Sequence, residues 1–190
     1  WDKVEGAIAG AYRLGAGDEI KKQFGIEGFY TQTLFNYDQT LIDKLEGCIE
    51  MGRSFITSTY QNNYWSLLLL WKGISRFVYL NPKYKVLFGP VSISNDYRKI
   101  SRHLMATYLG THHTDESLAK YVKPRKKLSS KKVRGTSVED MMELITKLDD
   151  FSAIISELEE ENIDVPILVR NYIKLGGKIL CFNVDPDFFN

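Results

Sequence analysis

Apolar positions recur along this chain with two different spacings, and the switch between them marks out its elements. Val4 to Leu14 is a run of small and apolar residues with Arg13 near its end, and Phe29 to Phe35 alternates aromatic, Thr and Leu side chains; both read as strands. Between them Gly15 to Gly25 gathers glycine and charge, the composition of a loop or short helical turn. Leu41 to Glu46 reads as a short helix closed by Gly47, because glycine accepts the left-handed backbone that ends a helix. A third strand starts at Cys48 and runs to about Thr59, with Glu50, Gly52 and Ser54 on one face and Met51, Arg53 and Phe55 on the other.

From Tyr64 the spacing becomes helical. Leu67, Leu68, Leu70, Trp71, Ile74, Phe77 and Val78 give a wide apolar face, which predicts a buried helix stopped within a turn by Pro82. Val86 to Ser94 again has strand character, and Asn95 or Asp96 is placed to cap a helix carrying Tyr97, Ile100, Leu104 and Tyr108. Residues 111 to 135 lack periodicity and read as a long basic insertion loop. Ser137-Val-Glu-Asp140, a variant of the capping box, opens a helix with Met141, Ile145, Leu148, Phe151, Ile155 and Leu158 on one side and a candidate break near Asp149-Asp150. Pro166 to Lys174 is helical, Gly176-Gly177 ends it, and Lys178 to Val184 is a last strand. Strands early and helices interleaved later predict an α/β (α+β) fold with a mixed central sheet, and 190 residues fit one domain.

Composition narrows the class. A hydrophobic share of 44% with 26% charged residues is that of a folded globular domain. The net charge is only +1, yet residues 120–134 hold eight Lys or Arg and no acid, whereas 139–164 hold ten acids and one Lys. Local fields therefore matter more than the sum. Cys48 and Cys181 lie in apolar runs and form no CxxC pair, so neither a disulfide framework nor a zinc site is suggested and a reducing, cytoplasmic location is the expectation. No run is long and apolar enough for a transmembrane span, since Trp65 to Tyr79 is interrupted by Lys72 and Arg76. The chain opens at Trp1 inside a structured pattern, so an N-terminal portion of the natural protein is expected to be missing.

Several segments carry candidate chemistry. Gln61-Asn62-Asn63-Tyr64-Trp65-Ser66 is a polar turn from strand to helix, where free backbone N–H groups and the helix dipole favour an anion; an ordinary connection is the alternative. The run Lys120, Lys123, Arg125, Lys126, Lys127, Lys131, Lys132, Arg134 suits an acidic protein or anionic lipid, or is simply a solvated loop. Nucleic acid is disfavoured, because Tyr121 alone interleaves with it. His103, His112 and His113 lack an Asp five places on, where Tyr108, Ser117 and Leu118 stand, so a His-x4-Asp lipid acyltransferase is excluded there and no metal set is evident.

Glu50-Met-Gly-Arg-Ser54 followed by Tyr60, then Leu70-Trp-Lys-Gly-Ile74, Leu87-Phe-Gly89 with Val91-Ser-Ile-Ser94, and Val165-Pro166 through Tyr172-Ile-Lys-Leu-Gly-Gly177 with Asp185 and Phe188, stand in an order that resembles the GNAT acyltransferase superfamily. Within it they resemble the hemolysin-like branch, which includes acyl-carrier-protein-dependent N-acyltransferases acting on ornithine or glycine. The resemblance implies two parallel strands, at 48–59 and 86–94, that splay apart to hold a pantetheine arm. Its phosphate would meet Gln61, Asn62, Asn63, Tyr64 and Ser66, and its arm would pass Phe88 and Gly89. The turn departs from the superfamily in carrying Asn62 and Asn63 where glycines are usual, which favours a donor held through its carrier protein.

The same resemblance makes Glu50 the candidate general base, since an amine must lose a proton to attack, or else half of a structural ion pair. Arg53 would clamp the carboxylate of an amino-acid acceptor or brace the site. Ser54 and Tyr60 would donate to the thioester oxygen or protonate the leaving thiolate, or satisfy strand-edge groups. The implied function is N-acyltransfer of a long, for instance 3-hydroxy, acyl group from acyl carrier protein to ornithine or glycine in aminolipid synthesis. No tightly bound cofactor is implied, the acyl-pantetheine donor being a substrate, and the basic run Lys120 to Arg134 would meet the carrier protein. The alternatives are an acetyl-coenzyme A-dependent N-acetyltransferase and, from another class, a membrane-binding hemolysin-like protein without catalysis. Peripheral membrane contact is compatible with either; lysis is disfavoured by the acidic helix expected at 137–161.

Overall fold

The strand expected from Cys48 forms β3, Cys48–Ile56, in the computed structural model, which describes residues 1–61, 63–128, 142–159 and 163–185. β3 is the middle of a three-stranded sheet: β1 (Gly10–Ala16) pairs with it antiparallel and β4 (Val86–Phe88) parallel. The mixed sheet is that of an α+β fold. Cys48, Ile49, Glu50, Met51 and Gly52 are buried, whereas Arg53, Ser54 and Phe55 are exposed, so one strand runs out of the core halfway along its length.

The chain packs as two compact units. The first comprises Trp1–Thr33 and Asp38–Pro90, the second Leu34–Tyr37 and the chain from Val91 onward.

In the first unit, α1 (Gly17–Phe24) occupies the glycine-rich connector, and two 3-10 turns, Ile26–Gly28 and Tyr30–Thr33, stand where a second strand was expected. The alternation at 29–35 is real but reflects burial of Phe29, Thr31 and Gln32 in a tight turn, not pairing. The first strand begins later than its apolar run, because Asp2 to Ala7 closes on itself through an isolated bridge. β2 is only Phe35–Asn36 and belongs to the second unit. α2 (Gln39–Lys44) is capped by the Asp38 carboxylate, which accepts from the Thr40 N–H at 2.8 Å. Gly47 follows it at φ 66°, and a Cβ there would lie 2.2 Å from the Lys83 carbonyl oxygen; both facts demand glycine.

α3 (Ser58–Gln61) and α4 (Tyr64–Leu80) follow β3. α4 corrects an expectation: among the described side chains of its apolar residues only Ile74 is buried, and Trp65, Leu68, Leu69, Phe77, Tyr79 and Leu80 are exposed. The apolar stripe at helical spacing that predicted a buried helix is present, but most of it is not covered. The strand at 86–94 is likewise shorter than expected, pairing only over 86–88.

The second unit is built on α5 (Lys99–His112), with α6 (Glu116–Ala119), β5 (Lys123–Pro124), α7 (Leu148–Leu158) and α8 (Ile167–Lys174). Neither Asn95 nor Asp96 caps α5; Arg98 is its N-cap, without a side-chain bond. β5 pairs antiparallel with β2, so Lys123 of the expected basic loop sits in a ladder. The capping-box stretch 137–140 and Lys131, Lys132 and Arg134 lie outside the described residues, as does Phe188. The helical residues 142–144 are separated from α7 by 145–147, so the break falls before Asp149. The last strand reduces to one bridge, Thr114 to Ile179. Met105, Tyr108, Leu109, Phe151, Ile155 and Val169 form this unit's core, with the Tyr108 and Phe151 rings stacked at 4.1 Å.

His113 borders that core. Its Nε2 is buried without a hydrogen-bond partner among the described residues, and burial, helped by His112 and Lys178, holds its pKa below the ordinary histidine value. The unfolded chain then binds a proton more readily than the native one. Native stability should be unaffected above the unfolded histidine pKa and fall as pH drops below it. Melting temperatures between neutral and mildly acid pH should show this slope, and His113→Phe should flatten it; an equal slope in the variant would refute the assignment.

Candidate functional site

An arginine in a mostly apolar strand and a glutamate in a buried one each need a counter-charge, and the sheet register supplies it. Arg13 on β1 is the cross-strand partner of Gly52 on β3, and a Cβ there would touch Arg13 Nη2 at an ordinary contact distance of 3.5 Å. Arg13 Nη2 donates to Glu50 Oε2 at 2.7 Å. The same oxygen accepts from the Tyr30 N–H at 3.1 Å, while Oε1 accepts from the Thr31 N–H and the Thr31 hydroxyl, both at 2.8 Å. Glu50 is 0% exposed. It therefore ties β1, β3 and the 3-10 turn at 30–33 together, and these four donors fill the directions a carboxylate offers. To accept a proton from a substrate amine it would have to release one of them.

Beyond Gly52 the ladder between β1 and β3 slips. Ala11 faces Phe55 and Arg13 faces Gly52, so Arg53 and Ser54 together oppose the single residue Tyr12, which is a β-bulge. Arg53 provides the bend at φ 50°, and no other non-glycine residue described has a positive φ. A left-handed arginine costs about 1 kcal/mol, and bulges of this kind re-aim side chains and free backbone groups from the ladder. The Arg53 guanidinium lies over the Tyr30 ring at 5.4 Å, with Arg13 over the same ring at 5.7 Å. One aromatic face thus gathers two cations, of which Arg13 is matched by Glu50. The expected alternative partner of Glu50, Arg53, is the one left exposed.

β4 pairs with β3 only through Cys48–Val86, Ile49–Leu87 and Glu50–Phe88. The parallel ladder thus ends at the residue where the Glu50 cluster sits, and the bulge begins three residues on. Phe88 packs on Phe29, ring centroids 5.9 Å apart. Gly89 approaches so closely that a Cβ would fall 2.2 Å from the Met51 carbonyl oxygen. The strands are still in contact at Gly89, one residue past the last paired residue of β4.

The strand-to-helix turn is more self-contained than its sequence suggested. Asn63 is the N-cap of α4, accepting from the Trp65 N–H at 3.0 Å, and the Ser66 N–H donates to the Asn63 carbonyl at 3.1 Å. The Asn63 N–H donates to the Tyr60 carbonyl and the Gln61 amide donates to the Ile56 carbonyl. Asn62 lies outside the described residues, and Tyr64 is placed only as the first residue of α4. A phosphate docking here would displace the Asn63 cap. The Tyr60 hydroxyl donates to Asp2 Oδ2 at 2.8 Å, which raises the tyrosine pKa and lowers that of Asp2. Ser54 is exposed on the bulge.

Cys48 is buried beside the cluster with its thiol pushed up to about 11 by desolvation, which makes it a packing residue and not a nucleophile. Among the described residues no group of His, Cys, Asp and Glu could hold a metal ion. The sequence reading missed Arg13, Tyr30 and Thr31 as site residues. The readable signal was Arg13 itself, a charge on a strand whose other residues are apolar or small.

Residues 1–72 match the family model described as acetyltransferase (GNAT) domain, a span that holds Arg13, Tyr30, Glu50 and the bulge. The chain is 25% identical over 191 residues to a glycine N(alpha)-acyltransferase of Phocaeicola vulgatus, covering 96% of this chain and 57% of that protein. It is 26% identical over 193 residues to a glycine N(alpha)-acyltransferase of Bacteroides thetaiotaomicron, covering 96% and 56%. The chain spans little more than half the length of these curated relatives. No solved structure matches it.

Proposed function

We propose that the chain is an N-acyltransferase of the GNAT superfamily that moves an acyl group from a pantetheine thioester to the α-amine of a small amino acid, glycine first among the candidates, a reading supported by the match over residues 1–72 and by the two similar glycine N(alpha)-acyltransferases. The observation that carries this is the bulge at Arg53–Ser54, three residues past the point where the parallel pair stops. It breaks the β1–β3 register and presents an exposed arginine just beyond the last paired residues of the parallel ladder.

The thioester carbonyl rests against the bulge, where backbone N–H groups stabilise the oxyanion that forms on attack. Arg53 holds the acceptor's carboxylate, which suits a site with two arginines and one glutamate. The amine, once deprotonated, attacks the carbonyl carbon; the C–S bond breaks as the amide forms, and the thiolate takes up a proton. Holding both substrates together supplies most of the rate, and no covalent enzyme intermediate is needed, in keeping with the inert Cys48. Glu50 positions Arg13 and the Tyr30 turn, and takes the amine proton only where substrate displaces one of its donors. Tyr60 serves the leaving thiolate on release from Asp2.

The donor is an acyl carrier protein, with the exposed basic residues Lys120, Lys123, Arg125, Lys126 and Lys127 as its contact. Support comes from the turn at 61–66, in which the Asn63, Trp65 and Ser66 N–H groups are already paired and which lacks the glycines that admit coenzyme A closely. A long acyl chain and ornithine as an alternative acceptor complete the proposal.

Incubation with acyl-loaded carrier protein or acyl-coenzyme A and a panel of amino acids should yield an N-acyl amino acid; no product with either donor would sink the reading. Thermal stabilisation by coenzyme A alone would favour the acetyl-coenzyme A alternative. Arg53→Gly separates fold from function. It relieves the left-handed strain but removes the contact with Tyr30, so stability should change by less than about 1 kcal/mol. kcat/KM should fall on the order of 100-fold, and Arg53→Lys, which keeps the charge without the fork, should recover only part of it. A fully active Arg53→Gly enzyme would remove Arg53 from the site.

A further inference from the structure

The outward stripe of α4 is apolar where a surface helix is ordinarily polar. Trp65, Leu68, Leu69, Lys72, Arg76, Tyr79 and Leu80 fall at the spacing of one helical face, all exposed, with Trp65 at 65%, Leu69 at 61%, Tyr79 at 75% and Leu80 at 58%. Ile74, on the opposite side, is 3% exposed, and a Cβ on Gly10 of β1 would touch Leu70 at 3.4 Å, so the helix already has its packed face and this stripe is a second one.

Charge decides what fits there. From Met51 to Asn95 the chain has no Asp or Glu, while Arg53, Lys72, Arg76, Lys83 and Lys85 are cationic. Lys72 and Arg76 lie within the stripe, with Arg76 over the Tyr79 ring at 5.6 Å. A protein core laid over these two cations would bury them with no acid supplied by the helix. A bilayer interface asks for this pattern: leucines reaching the acyl region, Trp and Tyr at the headgroup level near the two ends of the helix, and Lys and Arg among phosphates. The helix, 17 residues long, lies along the surface, since no helix among the described residues is long and apolar enough to cross a membrane.

We propose that the exposed face of α4 docks the protein on an anionic phospholipid surface, through Trp65, Leu68, Leu69 and Leu80 with Lys72 and Arg76. This is independent of the acyl-transfer reading, and its readout is binding.

The intact protein should co-sediment with vesicles of phosphatidylcholine and phosphatidylglycerol, and far less with vesicles of phosphatidylcholine alone, the difference shrinking as salt rises. Lys72→Gln with Arg76→Gln should weaken partitioning about 25-fold, at about fivefold per cation near an anionic surface. Leu69→Glu should abolish it while leaving the melting temperature unchanged, because that side chain is exposed. Equal binding to neutral vesicles, no binding to anionic ones, or binding indifferent to these substitutions would overturn the proposal. So would a concentration-dependent dimer that Leu69→Glu dissolves without any vesicle binding by the parent protein, which would make the face an interface between copies.

Discussion

Glu50→Gln is expected to destabilise the first unit by about 3 kcal/mol, the largest effect of any isosteric change in it. The carboxylate accepts from Arg13 and the Tyr30 N–H on one oxygen and from the Thr31 N–H and hydroxyl on the other. Either orientation of a glutamine turns an NH2 toward donors. Aimed at Arg13 and Tyr30, it orphans both; aimed at Thr31, it is tolerated by the hydroxyl, which can rotate to accept, but not by the N–H. In both cases Arg13 loses its counter-charge. Denaturant unfolding measures the loss, and a variant as stable as the parent would contradict the geometry. Kinetics then separate two roles. Were Glu50 the proton acceptor, the acidic limb of the kcat profile would vanish in the variant; as a positioning group, it should leave the limb in place while KM for the acceptor rises, because the Tyr30 ring under the Arg53 guanidinium shifts.

Gly89→Ala is expected to cost a similar amount, on the order of 3 kcal/mol, or about 10 °C in melting temperature for a domain of this size. Nothing flexible stands in the way of the new methyl group: the nearest atom is the Met51 carbonyl oxygen at 2.2 Å, followed by the Met51 carbonyl carbon at 3.1 Å. Met51 is buried in β3, so relief has to come from moving β4 away. That shifts β4 against the Glu50 cluster, and activity should fall beyond what lost stability explains. Measuring kcat/KM well below the variant's melting point distinguishes the two contributions. Unchanged melting would show that the strands part more easily than their pairing implies.

The elements that frame the candidate site were legible because they rest on local sequence. β3 follows from its apolar start and the closing glycine, and the order strand, turn, helix, strand follows from a change of period. What failed depended on non-local facts. The alternation at 29–35 has the period of a strand, but Glu50 captures the Tyr30 and Thr31 N–H groups and holds the segment as a turn. The α4 stripe was indistinguishable from a core stripe by hydrophobicity, because burial depends on whether a partner surface exists. The bulge had no signal, since arginine is a poor left-handed residue and is accepted here in contact with Tyr30. The Arg13–Glu50 pair was invisible because its two residues are joined only by register.

The passage of β3 from core to surface between Gly52 and Arg53 has a consequence for how such a protein can diversify. Upstream of that boundary, each substitution is judged by the whole fold. Downstream, three adjacent exposed side chains, Arg53, Ser54 and Phe55, can change with little effect on folding while remaining fixed in direction by the rigid segment behind them. With Arg53 holding the acceptor as proposed, a lineage could exchange one acceptor amine for another within those few positions and leave its scaffold untouched.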